Sequence, residues 1–340
     1  MKRLLLLLPV LIFLASCSNE FEVAAPWKEV PVAYAILSPK DTAYYVRVEK
    51  AFLDPETNAL QTALIPDSIY YPENAITVWL ERTSNQSRVQ LVRVDGTKEG
   101  IIRDPGTFAT DPNWLYKFKP TPGSVLIPGE TYRLNIERAD GKPPITAETT
   151  IPKDFTFVTP SPAQTPPFIN FAPSTNTNVD WRADANAVLF NVYFIIRYRE
   201  EAGNGTVLEH VTLEWKAPAT VDRSVLSSGV IRGQIGVRGS DFYKFLSENV
   251  QPTTDRFRYF EPMSIRIEGG GKEINEFQIT ASANSGLTGA EVLPTYTNLS
   301  EGYGIFTAKN ESTLGGIKVT TQTVDSMNIH PLTFGLNFRY

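Results

Sequence analysis

The chain has 340 residues, 42% hydrophobic and 20% charged, a balance that suits a folded core and argues against disorder. The formal net charge is −5 and no run of five like charges occurs, which argues against a nucleic-acid surface built on clustered Lys and Arg. Proline outnumbers glycine, 25 to 22, and falls mostly between apolar runs, which argues against long helices; the single cysteine excludes an internal disulfide.

The first element is the run MKRLLLLLPVLIFLASC. Lys2 and Arg3 form a positive n-region, and Leu4 to Leu14 an apolar stretch too short to span a bilayer comfortably. Leu14-Ala15-Ser16-Cys17 resembles the bacterial lipoprotein processing box, in which small residues fit the peptidase and the thiol accepts a diacylglycerol group. Residues 1–16 are therefore expected to be a lipoprotein signal peptide, Cys17 the lipidation site and residues 17–30 a lipidated tether. Acidic residues follow at Glu20 and Glu22, resembling the surface-export signal of Bacteroidota lipoproteins. Loss of Lys2 and Arg3 takes the charge from −5 to −7, so the membrane is expected to hold this chain through acyl groups, not through charge.

Residues 31–151 read as an N-terminal immunoglobulin-like β-sandwich. In 31–52 two alternating runs flank the turn residues Ser38-Pro39-Lys40-Asp41, with Tyr44, Val46 and Val48 on one face. Strands are predicted at Ala75–Arg82, Arg88–Val94, Leu115–Phe118, Thr131–Arg138 and Ala147–Ile151, with Arg88–Val94 as the partner of Ala75–Arg82. The phrase PGETYRLNIE resembles late strands of immunoglobulin and fibronectin type III domains. A proline cluster at 152–168 reads as a Pro-rich linker or an edge segment.

Residues 169–340 read as a C-terminal β-sandwich-like domain. Val188–Arg199 puts Phe190, Val192, Phe194 and Ile196 on one face, and Gly203-Asn204-Gly205 turns it into Val207–Lys216. After Ser240-Asp241, a capping pair, Phe242, Phe245 and Leu246 have helical spacing. Further strands are predicted at Met263–Glu268, Glu276–Ala283 and Leu332–Tyr340. The expected fold class is all-β: two β-sandwich-like domains in tandem, with one short helix in the second.

Three stretches, ILSPKDTAYYVRVEKAFL (36–53), DSIYYPENAITVWLER (67–82) and LPTYTNLSEGYGIFTAKN (293–310), together resemble a Bacteroidota outer-membrane lipoprotein family known only as a domain of unknown function. The resemblance implies a setting among outer-membrane receptors and surface lipoproteins, and no shared chemistry. At Gly302-Tyr303-Gly304-Ile305-Phe306 the physical reading is a close backbone approach followed by a core strand.

Catalytic signatures are sparse. His210 sits in an alternating strand and His330 precedes a proline; both read as packing or surface residues. No zinc-binding His pair, nucleophile elbow or phosphate loop is present, so neither cofactor nor metal is expected, and the chain reads as a non-enzyme. Trp114 and Tyr116, after a turn-rich loop, form a possible ligand platform for a glycan; Trp79, Trp181 and Trp215 read as core. Thr42, Ser68 and Ser326 follow aspartates in a pattern resembling Bacteroidota O-glycosylation acceptors. The expected role is a docking or accessory subunit of an outer-membrane protein complex, anchored to the membrane by its acyl group and facing the cell surface. The alternative is a surface glycan-binding lipoprotein of a polysaccharide-utilisation system.

Overall fold

The computed structural model describes residues 29–51, 58–219, 221–284 and 295–340; Cys17 and the expected signal peptide lie outside them. The fold is β-rich, with one long sheet that serves two sandwiches. Its first hairpin joins β1 (Val30–Leu37) to β2 (Tyr44–Ala51), closed by the Asp41 N–H donating to the Ser38 carbonyl at 3.1 Å. The alternation read from sequence holds: Tyr44, Val46 and Val48 are buried with Ala33 and Leu37.

Two short helices, α1 (Ala59–Thr62) and α2 (Pro66–Ile69), precede β3 (Ile76–Arg82). The next run, expected as one strand, is divided between two sheets. β4 (Ser87–Gln90) pairs with β3, Leu91 is buried at the crossing, and β5 (Val92–Asp95) pairs with β6 (Trp114–Phe118). Local alternation does not record which sheet a strand joins, so the switch was not legible. β7 (Thr131–Arg138) and β8 (Ile145–Thr150) complete a four-stranded sheet in the order β4-β3-β7-β8, which packs on the β1–β2 end of the long sheet.

The proline-rich stretch is an edge segment: β9 (Thr156–Thr159) pairs with β11 (Asn176–Ala183), and Phe155 and Phe157 are buried. β14 (Asp222–Val225) and β15 (Ile231–Arg238) finish that sheet, in the order β14-β15-β11-β9. It covers the other end of the long sheet, formed by β12 (Leu189–Ala202), β13 (Val207–Lys216) and β16 (Arg256–Gly270). Trp181 and Trp215 lie in this second core. Trp79 does not lie in a core: it is on the outer side of β3, under the Arg88 guanidinium at 4.6 Å and donating to Glu137 at 3.1 Å.

The helix expected near 240 is α3 (Gly239–Asn249), which buries Phe242, Tyr243 and Leu246 and stacks Phe242 on Phe171 at 4.1 Å. Neither Ser240 nor Asp241 caps it. The helix begins one residue earlier, after Arg238, where the Gly239 N–H already donates to the Thr175 carbonyl. Glu276–Ala283, expected as a strand, is instead part of a second helix, α4 (Lys272–Asn284). It lies against β17 (Tyr303–Val319), whose flanks are taken by β1 and β16, so no free edge remains there for a strand. A third helix, α5 (Thr321–Ile329), is followed by β18 (Phe338–Arg339), which pairs with β16, while β10 (Phe168–Ile169) pairs with β17.

β17 belongs to both sandwiches. Phe306 and Ala308 lie in the first core; Ile317 and Val319 lie in the second. Its first half runs parallel to β1, with Tyr34 opposite Ile305. The Gly-x-Gly pair makes that approach possible. Gly302 and Gly304 have φ of +89° and +128°, and a Cβ on Gly304 would stand 1.9 Å from the Ala33 carbonyl oxygen. The preceding Thr-Asn pair has a related use: the Asn298 side chain accepts from the Phe306 N–H at 2.9 Å and donates to its carbonyl at 2.7 Å.

Candidate functional site

On the outer side of the long sheet, β1 presents Val32, Tyr34 and Ile36, and β2 presents Arg47 and Glu49. The chain after β2 folds back over this face. Asn58 caps α1 by accepting from the Leu60 N–H at 3.0 Å. A second loop, 101–109, closes the other side. Asn113, fully buried, donates to the Ile101 carbonyl at 2.8 Å, and Asp95 accepts from the N–H groups of Thr97 and Asn113. The two loops meet where Ala109 N–H donates to the Ala63 carbonyl at 2.9 Å.

Between them lies a hollow of about 400 Å³, within the size range of small-ligand and anchor-residue pockets. Its base is ionic. Glu49, almost fully buried, accepts from Arg103 at 2.7 Å and from Arg47 at 3.1 Å, and Arg103 also donates to the Tyr70 hydroxyl at 3.2 Å. Its rim is apolar: Leu60 is 65% exposed, Phe108 46% and Tyr34 40%. Arg103 lies 5.1 Å from the Phe108 ring centroid, which ties the rim to the base. Burial, reinforced by the Glu49 charge, pushes the Tyr34 phenol above its ordinary value, so it stays a neutral hydrogen-bond donor. Arg47, Glu49, Arg103 and Tyr70 are committed to one another. The chemistry left over is burial of an apolar group beside guanidinium donors.

The other expected sites are dispersed. Tyr116 is 6% exposed within the first core and is no platform. Trp114 is half-buried against Ile69, Tyr70 and Ala109, with the Arg93 guanidinium 4.5 Å from its ring centroid, so it braces the loops behind the hollow. A short turn-rich loop before a tryptophan looks the same in sequence whether the ring faces water or the back of a loop. Thr42 is exposed beside the β1–β2 turn, Ser68 is half-buried in α2, and Ser326 is half-buried in α5 beside the Tyr243 hydroxyl. Burial pushes the Tyr243 phenol up to about 12. His210 is exposed on β13, with Nδ1 2.9 Å from Glu261; His330 caps α5 against the Tyr243 ring, at 4.9 Å. Lipidation at Cys17 falls outside the described residues.

Leu60, Phe108 and Arg103 were not singled out in the sequence. The signal available was weak: isolated apolar residues in turn-rich segments.

Fold and hollow together define a β-rich protein of two sandwiches on a shared sheet, with a preformed apolar hollow on its outer face. Residues 32–314 match the family described as Domain of unknown function (DUF4249), and the chain belongs to that family. Among curated proteins no match is found. Among solved structures, the chain aligns with one titled "Crystal Structure of Rst D1-D2" at 7% identity, over 87% of this chain and 100% of that one, with a TM-score of 0.19.

Proposed function

We propose that the protein is a non-catalytic, acyl-anchored outer-membrane lipoprotein of the Bacteroidota type that faces the cell surface. It acts as a docking or accessory subunit of an outer-membrane protein complex. The observation that carries this reading is the exposed apolar rim of Tyr34, Leu60 and Phe108 around the Arg47–Glu49–Arg103 base. Exposed Ile36 extends it along β1, and exposed Leu64 and Ile65 along the loop. Clustered apolar surface with a polar base is the pattern of a partner site, with an anchor residue buried at the centre. Arg47 and Arg103 both meet Glu49, so two cations face one carboxylate. The occupant is therefore a protein segment that presents an apolar side chain next to an acidic one.

The test is site-specific photo-crosslinking of the full chain in its own membrane. A crosslinker at Leu60 is expected to give one discrete product that disappears with Phe108→Ser, whereas one at exposed Ser87 on β4 gives none. Equal labelling from both positions, or no product from Leu60, refutes the docking site. Separately, Cys17→Ser is expected to release the protein from the membrane fraction; retention there refutes the anchor alone.

A further inference from the structure

The long sheet is interrupted along β16. Arg258 and Tyr259 pair with β18, and pairing with β17 begins only at Met263. Phe260 and Glu261 therefore have a register partner only on the β12 side, opposite Tyr198 and Arg197. The gap left between the end of β17 and β18 holds a cavity of about 320 Å³. Its apolar wall is Phe260, Val319 and Val324.

The opening is cationic. Register pairs place His210, Arg199, Tyr259 and Arg339 in a row across β13, β12, β16 and β18, so their side chains are cross-strand neighbours on one face. Lys318 joins from β17. Two of these groups are spoken for: Arg199 pairs with Glu201 at 2.6 Å, and His210 with Glu261, the acidic residue of the lining, at 2.9 Å. Lys318 and Arg339 have no carboxylate within ion-pair distance among the described residues; Arg339 lies over the Phe257 ring at 4.3 Å and donates to the Asn337 side-chain oxygen at 3.4 Å, neutral contacts that leave its charge unmatched. Elsewhere on this face Arg266 is matched by Glu214, Glu268 and Glu311, and Arg197 donates to the Pro262 carbonyl and the Ser264 hydroxyl, whereas Lys318 and Arg339 both line the cavity.

We propose that this gap is a binding site for a carboxylate carried on an apolar, ring-sized body. The carboxylate sits between Lys318 and Arg339, where the guanidinium fork donates to its two oxygens and the ammonium adds a point charge. The ring lies against Phe260, Val319 and Val324, with Tyr259 at its edge. The cavity stands at the small end of ligand sites, so it admits one ring and no polymer. This site lies on a different part of the sheet from the docking hollow and does not depend on it.

The test is calorimetric titration of the full chain, in detergent, with phenylacetate, its uncharged counterpart phenylacetamide, and glucuronate. Phenylacetate is expected to bind one to one, with the amide at least about tenfold weaker, because a charge-assisted pair is lost. Lys318→Gln and Arg339→Gln, both at exposed positions, are each expected to weaken phenylacetate about tenfold while leaving the thermal midpoint unchanged. Acid and amide binding alike, unaltered affinity in both variants, or no heat at millimolar phenylacetate overturns the proposal. Weaker binding of glucuronate than phenylacetate supports the apolar body; equal or tighter binding overturns that part and assigns the gap to sugar acids.

Discussion

The two ends of the long sheet have outer faces of opposite character. Over β12, β13 and β16 the face is ionic and largely self-satisfied. Arg266 reaches Glu214 at 3.0 Å and Glu268 at 3.4 Å and lies over the Tyr193 ring, Arg199 pairs with Glu201, and His210 with Glu261. Over β1 and β2 the charged groups sink to the base of a hollow, and apolar side chains stand at the surface. A charged sheet face largely saturates itself, since most side chains find a counter-ion two residues along the same strand or on a nearby one. An apolar rim has no internal way to be satisfied, because its stabilisation comes only from removing area from water. The same backbone architecture thus gives a largely self-paired face at one end, open only at the gap beside β18, and an exposed apolar one at the other.

The sharpest way to break this comparison is at the ionic end, on the core side of β12. Glu200 is buried and accepts from Arg258 at 2.9 Å and Arg256 at 2.7 Å; Arg258 also donates to the Gln251 and Leu336 carbonyls. Glu200→Gln leaves the Arg258 charge buried without its counter-ion. It is expected to cost about 3–5 kcal/mol in urea unfolding.

The same group sets a pH limit. Burial opposes its ionisation, but hydrogen bonds and charge from Arg256 and Arg258 outweigh burial and hold the carboxyl below its ordinary value. A depressed folded value means the contribution is present above the unfolded carboxylate range near about 4.3 and is lost as pH falls through the folded value. Urea midpoints measured downward from pH 5 are expected to fall more steeply for the native protein than for Glu200→Gln.

A smaller effect follows on the outer side of the same region. Arg266 is partly exposed, and Arg266→Gln is expected to cost about 1 kcal/mol, diminishing in high salt. The smallest stability effect belongs to the other end. Leu60→Ser with Phe108→Ser is expected to change unfolding by no more than about 0.5 kcal/mol, since both side chains stand well out in water. Large destabilisation by that pair would mean the rim belongs to the core, and the contrast between the two faces would fail.

Some of this was legible in the sequence and some was not. The alternation of Val188–Arg199 gave the buried face of β12 correctly, because strand periodicity is a local property. Phe242 and Leu246 announced α3 for the same reason. The residues 276–283 alternate well enough to look like a strand, yet form a helix where β17 offers no open edge. Trp114 and Tyr116, two apart on one strand, end in different apolar clusters. The hollow drew on Tyr34, Leu60 and Phe108, whose meeting no local pattern encodes.

By itself, then, the order of residues determined the β-rich class, the β1–β2 and β12–β13 hairpins, the buried faces of β2 and β12, and the glycines that allow close backbone approach. All of these follow from φ/ψ preference and side-chain period within a few residues. Only the tertiary structure decided that β1 would lie parallel to β17, that one run would split between β4 and β5, and that loops 59–69 and 101–109 would enclose a hollow. Those outcomes depend on which distant surfaces fit and exclude water together, and that choice is made among segments far apart in the chain.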